Sequence, residues 1–172
     1  MWYVIWTTTG REDRCLDFLK RYEDLYDRAF VPKRTLRRKY KQIWRKVELA
    51  LFPGYLFVET DYERLRKISY ELIFNNTSFN IVLATDGDFL PLTEQEEAFI
   101  DSVYKKSGNF DFSVGMIEGD KIKITSGPLM GMEGSISKIN RHKRTAYLDL
   151  TMFGKKTKIE VGLEIIQKNV LQ

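Results

Sequence analysis

The chain has 172 residues, 43% of them hydrophobic and 30% charged, and a formal net charge of +4. This composition is typical of a folded globular protein of one or two domains and excludes an intrinsically disordered one. Because no apolar run approaches the ~20 residues of a membrane-spanning helix, and because the N-terminus lacks the basic start of a signal peptide, we expect a cytoplasmic protein without membrane contact.

Strand and helix patterns alternate over the first hundred residues. Residues 2–8 are aromatic, β-branched or threonine, which predicts a strand. Apolar side chains recur every three or four residues from Arg11 to about Arg28, which predicts an amphipathic helix. Further strands are predicted at 29–31, 51–60 and 79–83, and further helices from Asp61 and from Thr93. This order predicts a ferredoxin-like sheet backed by helices, with one added helix.

A basic segment interrupts this pattern between Lys33 and Lys46. It holds eight lysines or arginines and no acid, with Tyr40, Ile43 and Trp44 interleaved. One interpretation is a solvated hairpin arm that its charges keep soluble. The other is contact with a phosphate backbone or an acidic partner, which would depend on salt concentration.

The run Leu51–Val58 is strongly apolar but contains Pro53-Gly54 in its middle. Proline cannot donate to a sheet, and glycine permits backbone angles that other residues avoid. We therefore predict a core strand with a bulge or bend at Phe52 and Tyr55. Its aromatic side chains either fill the core or form an exposed docking point.

The second half changes character after a short polar segment, 107–115, which is predicted to be a linker. Only strand-like segments follow, at 121–125, 135–139, 146–151 and 156–161, separated by glycine-containing or polar turns. Short strands at this spacing predict a small β-barrel. The expected domains are therefore 1–106 and 116–172, joined by the linker.

Three ordered motifs resemble the NusG family of transcription elongation factors. They are Trp2-Tyr3-Val4-Ile5 with Gly10, then Phe52-Pro53-Gly54-Tyr55, then Gly119 to Pro128 followed by Gly131 and Gly134. The last is similar to the KOW motif, and Phe153-Gly154 matches a late strand turn of that domain. The resemblance implies an α+β protein with a ferredoxin-like N-terminal NusG domain followed by a small SH3-like KOW β-barrel.

The resemblance also implies partners. The family's N-terminal domain docks on the clamp of RNA polymerase, which makes Gly10, Phe52, Pro53, Gly54 and Tyr55 candidate polymerase-binding residues. Trp2 is expected in the core, because aromatic residues at strand starts usually pack. The KOW domain of the family binds a small-subunit ribosomal protein, the termination factor Rho, or RNA, and Phe153 matches the aromatic residue at that contact. We expect a monomer.

Basic side chains are concentrated in two loops of the KOW half. The candidate RNA-binding residues are Lys138, Arg141, His142, Lys143, Arg144, Lys155 and Lys156. If the two loops share one end of the barrel, they form one face that follows phosphates, and a folded RNA is read mainly by shape and backbone. The alternative is that these are ordinary solubilising lysines. The pattern resembles a specialised paralog of the LoaP antiterminator type.

The resemblance, together with the basic loops, implies an antitermination factor that binds polymerase through its first domain and a nascent RNA hairpin through its KOW domain. The alternatives are a general elongation factor whose KOW domain binds a protein, and a ribosome-associated KOW protein. An enzyme is disfavoured because neither Thr7-Thr8-Thr9 nor the acids Glu94, Glu96 and Glu97 have a matched base. With one cysteine, Cys15, and one histidine, we expect no disulfide, metal or cofactor.

Overall fold

The structure is a computed structural model that describes residues 1–166. Residues 167–172, the end of the expected KOW domain, lie outside the described residues. In chain order the elements are β1 (Trp2–Trp6), α1 (Glu12–Leu19), a 3-10 helix (Lys20–Leu25), β2 (Arg28–Phe30), β3 (Lys33–Tyr40), β4 (Ile43–Ala50), β5 (Tyr55–Glu59), α2 (Tyr62–Phe74), β6 (Asn80–Ile81), α3 (Glu94–Lys105), β7 (Asn109–Phe110), β8 (Ser113–Glu118), β9 (Lys121–Ser126), a 3-10 turn (Glu133–Ser135), β10 (Ile136–Asn140), β11 (Thr145–Met152) and β12 (Lys155–Ile166).

The chain forms two compact units. The first contains residues 1–32 and 50–108, and the second contains residues 33–49 together with the described residues from 109 to 166. The basic segment, which the sequence assigns to the first domain, thus groups with the second unit. The cause is long-range pairing: β3 runs parallel to β7, with Lys33 opposite Asn109 and Arg34 opposite Phe110.

A four-stranded antiparallel sheet organises the first unit, in the order β2-β5-β1-β6. Side chains alternate between the two faces of a strand, and Tyr3 and Ile5 of β1 pack with residues of α1 and α2 in one buried cluster. Trp2 belongs to the opposite face, where its ring meets that of Tyr104 on α3. Helices therefore cover both faces, and Trp2 is only 1% exposed, as predicted.

The predicted helix starts at Asp61 and Thr93 are confirmed. The Asp61 side chain accepts a hydrogen bond from Arg64 N, and Thr93 forms a capping box with Glu96. The first predicted helix is shorter than expected. It continues as a 3-10 helix whose backbone departs from helical angles at Tyr22, with φ of −130° and ψ of 43°.

The second unit contains a five-stranded sheet in the order β10-β11-β12-β8-β9, and a three-stranded sheet in the order β4-β3-β7. The four strands predicted for this half correspond to β9, β10, β11 and β12. The predicted linker, 107–115, is not wholly irregular, because it contains β7 and the start of β8. β8 was not predicted, although it forms a hairpin with β9 in which Glu118 lies opposite Lys121. It also pairs in parallel with residues 163–166 of β12.

One arginine ties together three strands and a helix of the first unit. The Arg28 guanidinium on β2 donates to both carboxylate oxygens of Glu59 on β5, and it pairs with Asp101 on α3 at 2.9 Å. It also lies 4.9 Å from the ring centroids of both Trp2 and Tyr104. The hydrogen bonds to Glu59 raise the pKa of Arg28 above its ordinary value. The guanidinium therefore stays charged. Because the Arg28 side chain is only 27% exposed, that charge is mostly shielded from water.

Replacing Arg28 with methionine keeps the aliphatic stem but removes these charge-assisted hydrogen bonds. We expect Arg28→Met to lower the free energy of unfolding, measured by urea titration, by about 1.5–3 kcal/mol. Arg66→Met is the matched control. Its bridge to Glu63, at 3.4 Å, is exposed to solvent, so we expect a much smaller loss of stability. Equal losses in the two variants would contradict the role given to Arg28.

Candidate functional site

The segment Leu51–Gly54 is a turn, not the bent strand that the sequence predicted. β5 begins only at Tyr55, whose backbone N–H donates to Phe52 O at 3.1 Å. Phe52 is buried, with its ring centroid 5.6 Å from that of Phe57 and 6.3 Å from that of Phe99. Phe52 is therefore a packing residue, while the neighbouring Pro53 is exposed. The proline and glycine end one strand and redirect the chain into the next.

Glycine is required at position 54. Its φ is +86°, and a Cβ there would lie 2.8 Å from Thr7 O. This close approach allows Thr7 N to donate to Gly54 O at 2.8 Å. Any larger residue would be strained in its backbone and would also separate the two segments. The turn is thereby fixed against the end of β1.

A single buried carboxylate joins Gly10 to this turn. Glu12 Oε1 accepts from Gly54 N at 2.7 Å, and Glu12 Oε2 accepts from Gly10 N at 2.8 Å. Glu12 is 5% exposed. The sequence signals only that an acid in the first turn of a helix is favourable. Its link to residue 54 had no local signal, because the two positions are brought together by the fold.

A pair of aromatic residues, Trp6 and Tyr55, lies beside this fixed turn. Trp6 and Tyr55 are direct partners in the β1–β5 register, so their side chains share one face of the sheet. Trp6 is 48% exposed and Tyr55 is half-buried. We call Trp6, Gly10, Pro53 and Tyr55 the Trp6 surface. The sequence did not single out Trp6, which its even spacing from Trp2 places on the same face of the strand.

The second unit presents a loop between β10 and β11, residues 141–144, called here the basic loop. Asn140 Oδ1 accepts from Lys143 N at 3.0 Å, which closes the loop. Arg141, His142 and Lys143 are exposed. Lys138 is also exposed, within β10 and opposite Tyr147. The candidate RNA-binding residues of this loop are thus held on a short, defined turn.

Arg144 differs from the rest of the loop because it has internal partners. Its guanidinium lies 4.2 Å from the ring centroid of Trp44, and its Nη1 is 3.6 Å from Glu164 Oε1. Glu164 Oε2 is 3.5 Å from Arg37 Nη1. One carboxylate on β12 therefore bridges the basic loop and the β3–β4 hairpin. Arg144 is a positioning residue in this arrangement.

The two basic loops do not lie at the same end of their strands, which is the condition for one shared phosphate-binding face. β11 separates the basic loop from the Phe153-Gly154 turn, and its eight residues span roughly 24 Å. Successive turns of an antiparallel meander lie at opposite ends, so Lys155 and Lys156 lie far from the basic loop.

Phe153 and Gly154 have φ of 57° and 69°, typical of a tight hairpin turn, and Phe153 is half-buried.

Other chemistry is limited in the described part of the chain. Burial raises the pKa of the Cys15 thiol to about 12, so it stays protonated and unreactive. Residues 1–166 contain no group of three His, Cys, Asp or Glu side chains that would hold a metal ion. None of the helices in that range is long and apolar enough to cross a membrane.

The family model of the transcription termination factor NusG matches residues 1–100 of this chain. The chain belongs to the NusG family. Its members are transcription termination and antitermination factors.

Relatives align over nearly the whole NusG-family chain. The transcription termination/antitermination protein NusG of Lactococcus lactis is 28% identical, covering 96% of this chain and 91% of that protein. The protein of the same name from Thermus thermophilus is 24% identical, covering 97% of each. A solved structure described as "Domain interaction in Thermotoga maritima NusG" has a TM-score of 0.54 at 21% identity, covering 94% of this chain and 92% of that one. This likeness shows a shared mixed α+β fold.

The Glu12 carboxylate should control the order of the turn in this NusG-family chain. Glu12→Ala leaves the buried Gly54 N–H without its acceptor, so we expect a loss of about 1–3 kcal/mol in the free energy of unfolding. Hydrogen exchange at the Gly10 and Gly54 amides should accelerate. Glu12→Gln keeps one acceptor oxygen and should lose less, while Glu23→Ala, at an exposed site, serves as the control. Unchanged exchange at Gly54 in Glu12→Ala would contradict this link.

Proposed function

We propose that this chain is a processive antitermination factor that binds RNA polymerase through its first unit and a nascent RNA hairpin through its KOW half. In this proposal, residues 1–106 without the 33–49 hairpin form a ferredoxin-like NusG domain, and the described residues from 116 to 166 belong to an SH3-like KOW barrel. The main support for this proposal is that the two units present surfaces of different chemistry. The Trp6 surface is aromatic, whereas the basic loop is cationic and exposed.

The polymerase part rests on family membership and on the Trp6 surface. An exposed tryptophan beside a rigid turn is a typical anchor for a protein partner, since aromatic residues dominate binding energy at interfaces. Phe52 and Gly54 support the surface from within, and Gly10, Pro53 and Tyr55 contact the clamp. The factor would favour elongation only by binding the elongating polymerase more tightly than its paused form.

The RNA part rests on the exposed cations of the basic loop. Arg141 offers a planar fork for phosphate or a guanine edge, and Lys143 offers a point charge. Capture of the RNA raises the local concentration of the polymerase-binding unit on the same chain, so a modest affinity suffices to select transcripts. A basic loop of this kind supports the narrower assignment to a LoaP-type paralog.

The general elongation factor is the second candidate, and the Phe153-Gly154 turn favours it. That turn holds an aromatic residue far from the basic loop, suited to a protein partner such as a small-subunit ribosomal protein or Rho. Lys155 and Lys156, which follow it directly, would then flank a protein contact. The two functions use opposite ends of β11 and are therefore separable by substitution.

Two substitutions test the polymerase part. Trp6→Ala and Tyr55→Ala should each weaken association with core RNA polymerase about tenfold or more, because each removes an aromatic anchor. Binding is measured by biolayer interferometry, and the melting temperature is recorded for each variant. Tyr70→Ala, an exposed aromatic residue on α2, is the matched control. Full polymerase affinity in a folded Trp6→Ala, Tyr55→Ala double variant would overturn the assignment of this surface.

A triple substitution tests the RNA part. Arg141→Ala, His142→Ala and Lys143→Ala together should weaken binding of the full chain to an RNA stem-loop about tenfold and reduce operon-selective readthrough. Arg144 is left in place because it holds Trp44 and Glu164. Lys121→Ala with Lys123→Ala, both exposed on β9, is the control. Undiminished RNA affinity in the folded triple variant would overturn RNA reading by this loop and favour the protein-partner function.

A further inference from the structure

The β3–β4 hairpin carries most of the basic segment, residues 33–46. Its two-residue turn, Lys41-Gln42, has φ of 47° and 67°, the geometry that matches the twist of paired strands. Its exposed cations are Arg37, Arg38, Lys39, Lys41, Arg45 and Lys46. The hairpin is thus a defined, highly cationic element that the proposed function does not use.

The base of this hairpin is fixed within the second unit. The Arg34 guanidinium donates to the backbone carbonyl of Glu160, and Thr35 exchanges hydrogen bonds with the Asn109 side chain. A Cβ at Gly162 of β12 would lie 2.6 Å from Thr35 O, so only glycine permits this approach. Burial lowers the pKa of Arg34, and its attraction to Glu160 opposes that effect. The hairpin is therefore packed against β12.

A groove of about 450 Å³ separates the hairpin from the basic loop. Arg38, Lys39 and Trp44 line it from the hairpin, and His142 and Lys143 line it from the loop. The Arg144 guanidinium lies over the Trp44 ring, so the hairpin side of the groove is aromatic and has a positive charge next to it. Two elements about a hundred residues apart in sequence thus contribute to one cationic cleft.

The cations that line the groove differ in whether they have an ion-pair partner. Arg37 is paired with Glu164 and lies 4.4 Å from the ring centroid of Phe112. Among the described residues, Arg38, Lys39 and Lys143 have no ion pair. One acid, Glu160, also lines the groove, and the Arg34 charge partly offsets it. Three unpaired cations therefore remain for a ligand.

The geometry points to a composite RNA-binding groove, in which the β3–β4 hairpin and the basic loop together hold the phosphate backbone of an RNA stem. This inference rests on the proposed RNA-binding function and extends it to Arg38, Lys39 and Trp44. A nucleic-acid backbone presents phosphates at regular spacing, which suits cations fixed on two rigid elements. Double-stranded RNA is recognised mainly by such shape and backbone contacts.

The decisive comparison uses two double variants of the full chain that each remove one arginine and one lysine. Arg38→Ala with Lys39→Ala removes two cations of the groove. Arg45→Ala with Lys46→Ala removes two exposed cations of the same hairpin that do not line it. We expect the first to weaken binding to a fluorescent RNA stem-loop about tenfold, and to reduce the slope of log K against log salt by about 2. The second should weaken binding less than about twofold, since it leaves the groove contacts intact.

Equal losses in the two variants would overturn the groove, because they would reflect overall charge alone. Full affinity in Arg38→Ala, Lys39→Ala would also overturn it, while the proposed function would stand if the basic-loop variant still loses binding. If the wild-type chain does not bind the RNA stem-loop, the RNA part of the proposed function fails first.

A DNA stem-loop of the same sequence and polyglutamate serve as competitors. Equal competition by the DNA would overturn the choice of RNA, and equal competition by polyglutamate would show an acidic protein site.

Discussion

The carboxylate of Glu164 is the contact on which the arrangement of the second unit's basic elements depends. One oxygen faces Arg37 of the hairpin and the other faces Arg144 of the basic loop, at 3.5 and 3.6 Å. Without this bridge, two like-charged elements would repel each other, since the residues beside them are cationic as well. Glu164 lies on β12, the strand that also pairs with β8 and β11. A site built on this strand is therefore positioned by the sheet itself.

In the first unit, the Glu12 carboxylate likewise joins two segments that are distant in sequence. Glu12 accepts from two glycine amides, and these glycines were recognised in the sequence only as separate motif positions. Their shared contact explains why Gly10 and Gly54 belong to one feature. Both carboxylates act by positioning backbone or cations for the neighbouring surface. In each unit, the exposed residues that would meet a partner are held by a half-buried or buried acid.

Features with local causes could be predicted from the sequence. The caps at Asp61 and Thr93 involve residues three apart, and the glycine turn at Phe153-Gly154 is set by its own backbone angles. Features that depend on residues distant in sequence could not be predicted in this way. The grouping of the basic segment with the second unit needs the β3–β7 pairing, and the Glu12 contact needs residue 54. The separation of the two loops was available in principle, because consecutive hairpin turns must alternate between the ends of their strands.

The distribution of the arginines explains why net charge is a poor guide to the binding surface. Arg28, Arg64 and Arg144 each have a carboxylate partner, and Arg34 donates to a backbone carbonyl. The planar guanidinium suits such fixed, multiply bonded positions. Lys39 and Lys143 line the groove without an ion pair among residues 1–166. Because paired cations release few counterions on binding, the salt dependence of an RNA complex should reflect the few unpaired groove residues and not the total basic content of the hairpin.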